Sequence, residues 1–163
     1  MPTSDPLEIL LAHDAWATRK LLDAAAKLTP EQFHQRFEMG PGSVHDTLTH
    51  ILGAMRAWSD MLAARPMRPR PEGARRTVAE LDAMLDQSAA DFAACVRALP
   101  LSETITRIRD GKSYTFTRGA VLVHVATHGT HHRAQCLNML RHLGVQPLPP
   151  SSVAEWTHLA DGV

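Results

Sequence analysis

The chain is short of several things, and each shortage removes a class of function. Two cysteines in 163 residues, Cys95 and Cys136, cannot make a disulfide scaffold, and no CxxC pair offers a thiolate metal site. Both lie inside helical patterns, where reduced core thiols are expected. Net charge is absent as well. Lys plus Arg equals Asp plus Glu at 17 each, so no global field draws in nucleic acid or an anionic membrane. No apolar run reaches the roughly 20 residues of a membrane-crossing helix. The opening MPTSDPLEILLAHD is interrupted by Asp5, Glu8 and Asp14, unlike a secretory leader. The expected location is therefore cytoplasmic, without a membrane or nucleic-acid partner. There is no GxGxxG, P-loop, HExxH or GxSxG, which leaves the common nucleotide and hydrolase signatures out.

What the chain has is helix periodicity and histidine. Asp5, with Pro6 after it, opens a first helix whose Leu7, Leu10, Leu11, Trp16, Leu21 and Leu22 recur at helical spacing to about Leu28. Thr29-Pro30-Glu31 starts a short helix through Phe37, which MGPG at 39–42 breaks. Ser43, with Asp46 three residues on, caps a second long helix to about Ala64. Thr77 and Glu80 form a capping-box signature for a third, to about Leu99. TITRIRDGKSYTFT alternates around Asp110-Gly111, the pair favoured in a two-residue hairpin turn. Thr117 caps a fourth long helix to about His142, closed by Gly144. A last short helix is expected around 153–158.

Four long helices on short connectors predict an all-α antiparallel four-helix bundle. A small β-hairpin lies between the third and fourth long helices, and residues 1–163 form a single domain. The loop RPMRPRPEGARR at 65–76 carries five arginines and one acid. Its reading is a solvated connector, with a basic lip over an anion-binding cleft as the sharper alternative.

The fourth helix carries HVATHGTHH, with four of the ten histidines in nine residues. On a helical wheel His132 falls inside the apolar stripe of Val121, Val125, Cys136 and Met139, with His128 at its edge. His124 and His131 fall with the polar residues. An i, i+4 pair can chelate one ion. His124 and His132 cannot share it, because eight residues rise about 12 Å. A third ligand must come from another helix; the second offers His45 and His50, and periodicity does not choose between them.

HVATHGTHHRAQ at 124–135 resembles the signature of the DinB/YfiT-like superfamily of metal-binding four-helix-bundle proteins. SVHDTLTHIL at 43–52 resembles its second-helix motif, and HDAWATRKLLDA at 13–24 its first-helix motif. His13, Thr18 and Ala134 replace the usual Tyr, Asn and Gly. The resemblance implies His50, His128 and His132 as metal ligands, thereby choosing His50 over His45. It implies one divalent transition ion per chain, zinc or nickel, with iron as a further option, and a homodimer.

Three imidazoles leave part of the coordination shell open, as catalytic sites do, and suit borderline metals rather than magnesium or calcium. The resemblance further implies a small-molecule substrate and transfer of a low-molecular-weight thiol to an electrophile. A metal-dependent hydrolase and a non-catalytic binder of metal or small ligands are the alternatives. No catalytic residue is assigned. Glu38, Asp46 and Gln135 are the available bases, and Arg133 or the arginine loop could meet an acidic substrate group.

Overall fold

Short polar side chains set where the helices begin. Asp5, Thr29, Ser43, Thr77 and Thr117 each accept a hydrogen bond from a backbone N–H in the following first turn. The elements they open were resolved in a computed structural model that describes residues 3–160. These are α1 (Pro6–Ala25), α2 (Pro30–Phe33), α3 (Val44–Leu62), α4 (Val78–Arg97) and α5 (Arg118–His142), with α6 (Val153–Ala160) at the end. Strands β1 (Thr104–Arg109) and β2 (Lys112–Thr117) stand between α4 and α5. The outer limits of the expected single domain, 1–163, lie outside the described residues.

The molecule is mostly helical, with one two-stranded antiparallel sheet among the described residues. α3 packs against α4 and α5, and α1 packs against the same two helices. Leucines from α1, α3, α4 and α5 (Leu21, Leu22, Leu48, Leu52, Leu81, Leu85, Leu140) form one apolar cluster with Met139. Each such side chain taken out of water contributes about 1.5–3 kcal/mol. Met55, Phe92, Val96, Val121, Leu122 and Val125 form a second cluster toward the hairpin. The buried Arg118 closes that end, donating to the Leu62 and Cys95 carbonyls. Cys95 and Cys136 are buried and unpaired, as expected. Among the described residues no helix is long and apolar enough to cross a membrane.

The Asp110-Gly111 turn forms as its sequence dictates, both residues at positive φ (52° and 73°). The ladder runs from Thr104↔Thr117 to Arg109↔Lys112. The second short helix, expected to reach Phe37, ends at Phe33. Phe37 instead donates its N–H to the Gly42 carbonyl at 2.7 Å, folding the chain into the MGPG turn.

Candidate metal centre

α3 and α5 are packed neighbours, and their facing edges bring three imidazoles together. His50 comes from α3, His128 and His132 from successive turns of α5. Their ring centroids lie 5.0, 4.6 and 4.4 Å apart for the pairs 50–128, 50–132 and 128–132. One ring nitrogen from each lies within 4.8 Å of the others, and all three rings are half-buried. An ion shared by the three would need one nitrogen from each ring at about 2 Å. This is the only such group of histidine, cysteine or acidic side chains among the described residues.

Hydrogen bonds fix which nitrogens face inward. Glu72 Oε1 lies 3.3 Å from His50 Nδ1, and Gln135 Oε1 lies 2.8 Å from His132 Nδ1. Carboxylate and amide oxygens only accept, so both rings donate from Nδ1 and keep the Nε2 lone pair free. Gln135 is held by close approach of the MGPG turn. A Cβ on Gly40 (φ +49°) would overlap the Gln135 carboxamide.

Electrostatics favours the neutral form of the two α5 imidazoles, His128 and His132. Burial, then the charges His132, His50, His124 and His131 would carry, push His128 down to about 4. His132 is lowered by burial against the raising effect of Gln135, with His50 and His131 adding to the fall. Neutral imidazole is the ligating form. The donor set therefore fits a borderline divalent ion such as zinc or nickel.

The other histidines are elsewhere. His45 is buried, with Nδ1 2.8 Å from Asp46 Oδ1, and its Nε2 accepts from the Arg76 N–H at 3.1 Å. Those contacts hold His45 in a structural role, and of the two α3 histidines it is His50 that lies beside His128 and His132. His124 is exposed and its ring lies 5.0 Å from Trp58, outside the group of three. His131 is exposed, within 3.2 Å of the Gln135 amide nitrogen.

Two expectations about charged partners need correcting. Arg133 does not face a substrate: it is buried and ion-paired with Asp14 of α1. Nor is the 65–76 loop a free basic lip. Arg65 and Arg68 clamp it to Asp60 and Asp91, and Arg76 donates to the Pro71 and Ala74 carbonyls. What the loop brings to the site is an acid, Glu72, which no spacing in the sequence singles out. Of the bases considered from sequence, Gln135 orients His132, Asp46 binds His45 and Arg36, and Glu38 is exposed.

The comparisons with known proteins follow this geometry. A sequence profile described as the DinB family matches residues 1–157. No curated protein matches the chain in sequence. Among solved structures, the fold is similar to the crystal structure of a DinB-like protein, YjoA, from Bacillus subtilis. The two share 16% identity at a TM-score of 0.63, over 88% of this chain and 97% of that one. At that identity the likeness concerns the fold alone. The family match covers nearly the whole chain and includes all three converging histidines: the chain belongs to the DinB family.

Proposed function

We propose that His50, His128 and His132 hold one divalent transition ion, zinc or nickel, and that the protein is a metal-dependent enzyme transferring a low-molecular-weight thiol to an electrophile. The observation that carries the reading is the group of three converging, half-buried imidazoles, two of them oriented from behind by Glu72 and Gln135. Bound there, the ion would supply an open coordination position and keep a thiol as thiolate, a form scarce for a free thiol of pKa about 8.5 at neutral pH. The chain's own part is to present three imidazoles, His50 and His132 through Nε2, without a carboxylate in the group. His50 is about a third exposed (30%), leaving a face through which a small molecule can arrive. The scaffold in this reading is a four-helix bundle forming one domain, assembled as a homodimer in the cytoplasm.

Cobalt substitution tests the chemistry. Sulfur-to-metal charge-transfer absorption should grow in when the matching thiol from a panel is added. Thiol consumption with monochlorobimane should need the ion and disappear in His128→Ala. A cobalt spectrum unmoved by every thiol would rule out thiol transfer and leave a hydrolase or a non-catalytic binder.

A further inference from the structure

Strand alternation gives the hairpin two unlike faces. Thr104, Thr106, Ile108, Ser113, Thr115 and Thr117 share one, with Ile108 standing 76% exposed. Ile105, Arg107, Arg109, Lys112, Tyr114 and Phe116 share the other, and this second face turns toward the helices, with Lys112 exposed at the turn end outside the cleft lining. Opposite it stand Trp58 of α3 and His124 of α5, and between the walls is a cleft of about 520 Å³. That volume is in the range of small-molecule sites.

The lining is aromatic and cationic together. The Trp58 ring meets Phe116 edge-on at 5.8 Å, and the Arg107 guanidinium lies 6.0 Å from the Trp58 ring centre. Arg107 makes no ion pair among the described residues. Arg109 has only Asp110, at 3.5 Å on the turn and 89% exposed. Two guanidiniums thus face the cleft with one solvated carboxylate at its lip. Guanidinium forks match carboxylates, and aromatic walls favour a flat, unsaturated body. Trp58 leads onward to His124 at 5.0 Å, and His124 to His128 at 5.8 Å, so His124 on the cleft wall stands next to the histidine group.

We propose that this cleft binds a planar carboxylate, an aromatic or conjugated acid, with its anionic end on Arg107 and Arg109 and its flat body against Trp58, Tyr114 and Phe116. Its role as co-substrate site rests on the metal-centre reading above; the binding itself does not need the ion.

Calorimetry on the full chain, metal-loaded and chelator-stripped, tests this with cinnamate and its uncharged counterpart cinnamide. Cinnamate should bind both forms with Kd of about 1 mM or tighter. Cinnamide should bind about tenfold more weakly, and Arg107→Gln and Arg109→Gln should each cost cinnamate about tenfold, as loss of a charge-assisted bond does. Arg70→Gln, on the exposed loop, should change nothing. Equal affinity for acid and amide would overturn the proposal, as would full affinity in both hairpin variants. So would binding that vanishes on stripping, since the carboxylate would then sit on the ion. The two readings fail separately. Monochlorobimane turnover without cinnamate binding removes the cleft assignment alone, and cinnamate binding with a thiol-blind cobalt spectrum removes thiol transfer alone.

Discussion

Glu72 Oε1 lies 3.3 Å from Nδ1 of His50, joining a proline-rich loop to a helix 22 residues earlier in the chain. Such outer carboxylates typically contribute 10- to 100-fold to metal affinity, by fixing ring orientation and raising basicity. Glu72→Ala should therefore weaken zinc binding by about that factor in a chelator competition. Gly53→Ala should act in the same direction while leaving both His50 and Glu72 in the sequence. A Cβ there would come within 2.9 Å of Pro71 and 3.1 Å of Glu72 Oε1, forcing the loop outward.

His50→Ala and His132→Ala should abolish stoichiometric metal, measured by elemental analysis after gel filtration. His124→Ala and His45→Ala should retain it. His45→Ala should still lower stability by about 1 kcal/mol in urea titration, because the half-buried Arg76 N–H loses its acceptor. Loss of metal in His124→Ala equal to that in His132→Ala would show that a different pair on α5 binds.

The loop clamp has its own pH signature. Burial raises the Asp60 carboxyl, but the Arg68 amide and the Arg68 and Arg65 guanidiniums outweigh it, holding it below the usual carboxylate range. Asp91 is lowered by Arg65 first, then by Arg68 against its burial. With folded values below unfolded ones, the unfolded chain binds more protons as the medium turns acid. This stabilisation should be complete above about pH 4 and fade as pH falls through the lowered folded values. Asp60→Asn should cost about 2 kcal/mol at pH 7, discounted for its partly exposed arginines. It should also flatten the acid decline of the urea midpoint.

Arg133 and Asp14 are 3% and 7% exposed, a pair closed off from water. Burial already raises the Asp14 carboxyl, and Arg133 opposes that rise. Arg133→Met would leave the acid unpaired and should cost about 3–5 kcal/mol in urea unfolding. Metal stoichiometry in the folded fraction should stay unchanged. Adding Asp14→Leu should recover part of the loss, since the stranded charge goes with it.

Local chemistry made much of this fold readable in advance. Thr77 with Glu80, and Asp110 with Gly111, act through a few neighbouring atoms, so the sequence carries their whole signal. His128 and His132 were legible because one helix fixes their spacing, whereas His50 needed a family resemblance, since α3 flanks its apolar stripe with histidine on both sides. Glu72 was not legible: it reaches His50 through a loop with no period. Arg133 misled for a related reason. Its position on the wheel gives a direction but not the Asp14 side chain that meets it from α1. Alternation likewise sorts the hairpin into two faces without saying which one turns inward.

The spacing of His124, His128 and His132 turns α5 into a ruler. Backbone pitch sets the interval between the Trp58 end of the ladder and its His132 end, and α5 is anchored at its start by the buried Arg118. A ligand held at the hairpin can bring to the histidine group only an atom lying at that reach. In the proposed reaction, selection by length would then fall to a rigid helix and selection by charge to the hairpin. Shortened or extended homologues of one acid should accordingly bind alike and differ in whether they react.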